Sequence, residues 1–287
     1  MAAFTPGNIV VYRVGTGAAA LGSAATQVFL DEYTPAGVLV QSIPLPTADS
    51  GSNQMLTAAG NSGTEGLLTL SADSHYLILT GYDAAVGTAS VAGTTSTIAS
   101  RVIGRVDASG NIDTSTTLGS AFSSGNIRGA TSSDGTHFWA DGSVTGVVTT
   151  TLGSTSSTVV SSSTVNLRGI DIFDGQLYVS SSSGSLRLGT VGSGEPTTSG
   201  QTITQLPGIP LTNGSGNTAL SPYQFYFADL TASVPGVDTL YLSDDRAAAS
   251  GGGLYKYSLV GGTWVQNGLV TTPIRGLTGS ASGTSVT

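Results

Sequence analysis

Apolar and polar residues alternate in short stretches along this chain, and Gly, Asp, Asn and Pro break them at close intervals. One pattern returns. It reads Ile127-Arg128-Gly129-Ala130, Ser133-Asp134-Gly135-Thr136, then His137-Phe138-Trp139, and again Leu167-Arg168-Gly169-Ile170, Phe173-Asp174-Gly175, then Gln176-Leu177-Tyr178-Val179. A third copy starts at Ile274-Arg275-Gly276-Leu277 and reaches Ser285-Val286; a looser one starts at Glu65-Gly66-Leu67-Leu68 and ends in Tyr76-Leu77-Ile78-Leu79. Each copy predicts a short strand, a tight turn and a second strand rich in aromatics, which is a β-hairpin. The copies recur at about 40–55 residues, the period of hairpin arrays and of propeller blades.

The alternation predicts three strands over residues 8–46, with Thr34-Pro35-Ala36-Gly37 as a turn, then a polar connection over residues 47–63. Four strands follow over 65–118 (67–71, 76–82, 101–107 and 112–118), with residues 84–99 as a long internal loop of the kind that carries function. Sets of four recur over 127–163, 167–206 and 223–270, and residues 274–287 begin one more. No stretch has helical periodicity with caps, so no helix beyond one or two turns is expected. The expectation is a single all-β domain over residues 1–287: a β-propeller of four-stranded blades, six-bladed, in which 8–46 is the N-terminal closing blade and the last blade is incomplete. Either the chain continues past Thr287, to be seen as an intact mass several kDa above 28.5 kDa, or a neighbouring chain donates the missing strands.

Composition narrows the partners. Only 9% of the 287 residues are charged, the net charge is −8, and Lys256 is the single lysine. A chain without a basic patch is a poor binder of nucleic acid or anionic membrane. No apolar run reaches the roughly 20 residues of a spanning helix. There is no cysteine, hence no disulfide frame and no thiolate metal site. The start, Met1-Ala2-Ala3-Phe4, has no signal-peptide character and fits a mature sequence behind a start Met. The Ser/Thr/Gly-rich, Lys-poor surface suggests an extracellular setting.

Three stretches carry a resemblance: residues 5–15, Val28-Phe29-Leu30-Asp31-Glu32-Tyr33-Thr34-Pro35, and Glu65-Gly66-Leu67-Leu68-Thr69-Leu70-Ser71-Ala72-Asp73. The chain resembles, over essentially its whole length, secreted bacterial β-propeller-like repeat proteins, some joined to sorting or anchoring domains. The resemblance implies a secreted or surface propeller longer than this chain, and it brings no established catalytic residues.

Arg128, Arg168 and Arg275 share one repeat position; Glu65 takes it in the first full set and Gln224 in the fourth. First strands of propeller blades are innermost, so these side chains would ring a channel mouth and bind an anion or carboxylate, for which guanidinium is suited. The alternative is upkeep of the repeat, with the arginines on backbone carbonyls or on Asp134, Asp171 and Asp174. Asp83, Asp141, Asp244 and Asp245 follow second strands and together would offer oxygens to Ca²⁺, although no calcium-loop spacing is present; Asx turns are their plainer duty. His75 and His137 are too few for a zinc site, and no nucleophile elbow or phosphate loop occurs. The aromatics fit core packing.

These features point to an extracellular or cell-surface module for binding, structure or assembly, with a protein or glycan partner and without a required cofactor. Two alternatives stand beside it. One is a hydrolase or lyase using Arg128, Arg168, Glu65 and an Asp-bound metal in the channel; the other is a filament subunit completed by strands of its neighbour.

Overall fold

Asp174 and Gly175 both have positive φ, 49° and 67°, and Phe173 pairs directly with Gln176 across them. This is the two-residue hairpin turn that an Asp-Gly pair favours. In the computed structural model, which describes residues 3–211 and 219–287, such hairpins build an all-β protein of antiparallel sheets, several of them four-stranded. The only helical pieces among the described residues are single 3-10 turns at Val91–Gly93 and Ala248–Ser250. The chain divides into two compact units, Met1–Val159 and Val160–Thr287.

Unit 1 opens with β1 (Ile9–Val14), β2 (Ala25–Tyr33), β3 (Leu39–Pro44), β4 (Thr57–Ala59), β5 (Thr69–Leu70), β6 (Tyr76–Tyr82), β7 (Arg101–Asp107) and β8 (Ile112–Thr117). All eight belong to one sheet, ordered β1-β2-β4-β6-β7-β8, with β3 also on β2 and β5 also on β6. This corrects the reading of residues 47–63 as a plain connection between two separate strand sets. β4 lies there, buried at all three positions, pairing Ala25–Gln27 of β2 and touching β6 through Thr57 and Tyr82. Its short apolar run gives no alternation because both faces are covered. The strand fits because Gly81 and Gly104 leave room for Leu56; a Cβ at either would lie within 2.8 Å of the leucine side chain.

The next sheet is β9 (Ile127–Ser132), β10 (His137–Gly142), β11 (Val147–Thr151) and β12 (Thr158–Ser161), in that order; the unit boundary falls within β12. The first sheet packs on β9 and bonds to it. Thr69 Oγ1 donates to the Ala130 carbonyl at 2.7 Å, and Ala72 N–H to the Ser132 carbonyl at 2.9 Å. The core here joins Ile78, Tyr82, Ile103, Phe122, Phe138 and Val148. The long loop over residues 84–99 is held down: Val91 is fully buried and its N–H reaches the Ser23 carbonyl, while Ala25 N–H reaches that of Thr88.

Unit 2 has two four-stranded sheets in sequence order. One is β13 (Leu167–Phe173), β14 (Gln176–Ser181), β15 (Leu188–Val191) and β16 (Ile203–Gln205); the other is β17 (Pro222–Ala228), β18 (Thr239–Asp244), β19 (Gly253–Val260) and β20 (Thr263–Val270). Phe173, Tyr178, Phe225, Phe227 and Trp264 form an edge-to-face and tilted aromatic core between them. The predicted strand at Arg275 is absent. The chain runs alongside β17 and β18 instead, with the Arg275 carbonyl accepting Gln224 N–H and the Ser243 hydroxyl, and a small hairpin, β21 (Ala281–Ser282) and β22 (Ser285–Val286), follows. Those side-chain and backbone bonds replace a regular ladder.

The Arg-Gly pairing in the repeat has a steric reason at one copy. A Cβ on Gly169 would stand 2.7 Å from the Tyr223 carbonyl oxygen, to which Ser180 Oγ donates. The first strand of the next sheet passes too close for any side chain.

Candidate functional site

Two of the repeat arginines meet in unit 2. Arg168 lies on β13 and Arg275 on the segment beyond β20, and Asp245, one residue past β18, stands between them. Arg275 Nε donates to Asp245 Oδ2 at 3.0 Å. Arg168 Nη1 lies 3.5 Å from Asp245 Oδ1 and donates to Ser221 Oγ at 2.6 Å; Ser221 Oγ in turn donates to Asp245 Oδ1 at 2.7 Å. Both guanidiniums lie over the Tyr223 ring, Arg168 at 4.5 Å and Arg275 at 5.3 Å from its centroid. The side chain of Arg275 is 49% exposed, those of Arg168 and Asp245 18% and 16%. The carboxylate is thus spread over two arginines and a hydroxyl, and of these groups Arg275 reaches furthest into solvent.

Beside it, Asp244 takes both of its oxygens to Arg246 Nε, at 2.8 and 3.0 Å, and accepts Ser221 N–H. Arg246 also reaches the Tyr255 hydroxyl at 3.0 Å. Arg187 is buried and donates to the carbonyls of Gly184, Leu186 and Leu211. Burial, with the nearby positive charges of Arg168 and Arg246, holds its pKa below the usual arginine value. Gln224, the repeat-position residue of β17, accepts Leu277 N–H with its side chain at 2.9 Å.

The other two repeat-position residues lie in unit 1. Glu65 is largely buried. Its carboxylate accepts the Tyr82 hydroxyl at 2.8 Å, the Ala59 N–H at 3.1 Å and the Asn126 side-chain amide. Burial raises its pKa, and these bonds hold it back only in part. Arg101 stacks over Tyr82 with its centre 5.1 Å from the ring and spends its Nη donors on the carbonyls of Ala99, Ala92 and Gly125. Arg128 is buried near Asp141, whose Oδ1 accepts Gly129 N–H at 3.0 Å while Oδ2 has no hydrogen-bond partner. Full burial pushes the Asp141 carboxyl up to about 7 against the pull of Arg128.

Of the four aspartates offered for a cation, Asp244 and Asp245 are taken up by arginines in unit 2, and Asp83 and Asp141 lie in unit 1. No group of three or more acidic or histidine side chains gathers among the described residues. Asp83 is half-buried with Oδ1 unpartnered, and burial together with the charge of Asp49 raises its pKa. Asp49 was not singled out in the sequence; it lies in the segment read as a connection, where its Oδ1 accepts Met55 N–H at 3.1 Å. Arg168 pairs with Asp245, an assignment that spacing alone does not give. Ser221, Tyr223 and Arg246 were also missed; the run Asp244-Asp245-Arg246 was their one visible signal.

No protein-family model matches the chain, and no curated protein does. Among solved structures, it is similar to a GH74 xyloglucanase from Xanthomonas campestris, with a TM-score of 0.41 and 14% sequence identity. That match covers 89% of this chain and 36% of the xyloglucanase, so the chain spans about a third of that enzyme's length. No helix among the described residues is long and apolar enough to cross a membrane.

Proposed function

We propose that this chain is a β-propeller-type repeat module, six-bladed by its repeat count, that works outside the cell or at its surface by binding a partner rather than by turning over a substrate. The observation that carries the reading is the Asp245 bridge. Repeat arginines meet a carboxylate at a partly exposed position, a geometry made for recognition, while Asp141, the carboxyl pushed up to about 7, is fully buried, and Glu65, also raised, spends its oxygens on Tyr82, Ala59 and Asn126. The Ser/Thr/Gly surface and the low charge support the extracellular setting. The experiment is a glycan and protein-ligand array read for binding, followed by incubation of each hit with the protein and product analysis. Binding without turnover is the expected outcome. Turnover that is lost in Asp83→Asn, the partly exposed carboxylate with a raised pKa beside Asp49, overturns the reading in favour of a hydrolase.

Self-assembly is a second reading with its own observation. In the N-terminal sheet β1 pairs with β2, and Ile9, Val11, Leu39 and Val40 of β1 and β3 are 43–52% exposed. An edge strand beside exposed apolar side chains invites another strand. Light scattering across a concentration series tests it: growth with concentration that Val11→Lys abolishes supports assembly, and a constant monomer mass removes it.

A further inference from the structure

The arginine distribution is uneven. The chain has 9 basic residues against 17 acidic ones. Yet three arginines meet two carboxylates in unit 2: Arg246 on Asp244, and Arg168 and Arg275 on Asp245. Three guanidiniums against two carboxylates leave one positive charge over among these paired groups in an acidic protein. Asp244 is fully engaged by Arg246 and Ser221, so the imbalance falls on Asp245 and the two arginines that share it. The Nε–H of Arg168 has no hydrogen-bond partner. One carboxylate therefore serves two arginines and leaves a donor idle.

We propose that Arg168, Arg275 and Ser221 form a binding site for a ligand with a single carboxylate, and that Asp245 is its resident stand-in, displaced when the ligand binds. This names a ligand class for the binding module above and rests on that reading. Asp245 shows what the site accepts: one oxygen near Arg168 Nη1 and Ser221 Oγ, the other on Arg275 Nε. Arg275 is half in solvent, which weakens its pair with Asp245 and eases exchange of one carboxylate for another on that side. Tyr223 beneath the guanidiniums holds their planes in place, and it is itself buried, so it offers no stacking face to the ligand. The net charge of −8 repels polyanions at long range, and the local excess acts only within about 10 Å at 0.1 M salt. A small monocarboxylate is favoured over a polyuronate for that reason.

The test is titration with galacturonate, trigalacturonate and neutral galactose, read by calorimetry and by the Arg Nε–H signals in NMR. Asp245→Asn removes the competing charge and should tighten galacturonate binding at least about tenfold over the unmodified protein, with galactose silent. Adding Arg275→Gln to Asp245→Asn should abolish the binding. Adding Arg105→Gln instead, which removes the same charge from a pair in unit 1, should leave it intact. Asp245→Asn binding no tighter than the unmodified protein, or equal loss with Arg105→Gln and Arg275→Gln, overturns the site. Tighter binding of trigalacturonate than of galacturonate overturns the choice of a single-carboxylate ligand. Array hits bound alike by all these variants overturn this site and leave the binding-module reading standing; an array with no hits overturns that reading as well.

Discussion

Glu65 and Asp245 are both carboxylates that collect several donors; Glu65 takes the arginine position of one repeat copy, whereas Asp245 meets the arginines of two other copies only in the fold. Their surroundings differ in one respect that decides their roles. Glu65 is buried among groups that stay neutral or face carbonyls: Tyr82, Asn126, Ala59 N–H, with Arg101 stacked on Tyr82. Asp245 is only 16% exposed but lies between two guanidiniums, one of which is half in solvent. Burial raises the Glu65 pKa, its neutral donors hold that rise back only in part, and the bonds make it a structural joint. Partial exposure between two arginines leaves a carboxylate within reach of competing anions. The same residue class thus serves the fold in one unit and suits recognition in the other.

The largest expected effect tests the structural half of that contrast. Glu65→Leu removes the acceptor of three donors, and each buried donor left alone costs about 1–3 kcal/mol. A loss on the order of 4 kcal/mol in urea unfolding is expected, against less than about 1 kcal/mol for Asp245→Asn at its partly exposed pair. Equal losses in the two variants break the comparison.

Asp141 sharpens it through pH. Its folded-state pKa, about 7, is raised from 3.8. The folded protein holds this proton more tightly than the unfolded chain, so the stabilisation is full below about pH 4 and is lost as pH rises through about 7. Three pKa units correspond to at most about 4 kcal/mol. Asp141→Asn keeps the acceptor for Gly129 N–H and abolishes the titration. Its melting temperature should exceed that of the unmodified protein at about pH 8 and match it near pH 4. A difference independent of pH places the carboxyl in water rather than in the core.

Arg168 and Arg275 split the exposed site. Arg168 is less exposed and bonds Ser221 as well as facing Asp245, whereas Arg275 is half in solvent. Arg168→Gln should cost about 1–2 kcal/mol and Arg275→Gln less than about 1 kcal/mol in the same unfolding assay. The reverse order means that Arg275 anchors the C-terminal segment through its side chain, not only through its carbonyl.

The hairpins were legible because their chemistry is local. Asp174-Gly175 fixes a turn, and the alternation in Gln176-Leu177-Tyr178-Val179 fixes a strand, without help from elsewhere. β4 was not legible, because its small apolar residues are buried on both faces and leave no period to read. The strand expected at Arg275 failed for a related reason: Gln224 and Ser243, far off in sequence, claim the backbone groups there. The arginine position itself could be read from the repeat, but its partner could not. Asp245 reaches Arg168 across 77 residues (245 − 168), and only folding sets that distance. The sharing of one aspartate by two repeats is a tertiary fact with no local trace.

The last comparison concerns glycines, beginning with the turn that anchors the first sheet of unit 2. Gly175 has φ of 67° and nothing within 4 Å of where its Cβ would lie, so space is not the constraint there. At Gly169 the reverse holds: its φ is not in the left-handed region, and the obstacle is the Tyr223 carbonyl 2.7 Å away. Gly175→Val therefore meets only backbone strain, on the order of 1 kcal/mol or somewhat more for a β-branched residue at positive φ. Gly175→Asn should cost less, since Asn tolerates the left-handed region. Gly169→Ala should cost more than Gly175→Asn despite being the smaller change, because it pushes two sheets apart. Melting temperatures of the three variants decide the matter. Gly175→Asn should melt nearest the unmodified protein, Gly175→Val lower, and Gly169→Ala at or below Gly175→Val. A neutral Gly175→Val means that the hairpin turn has slipped from Asp174-Gly175, and with it the register that carries Arg168 towards Asp245.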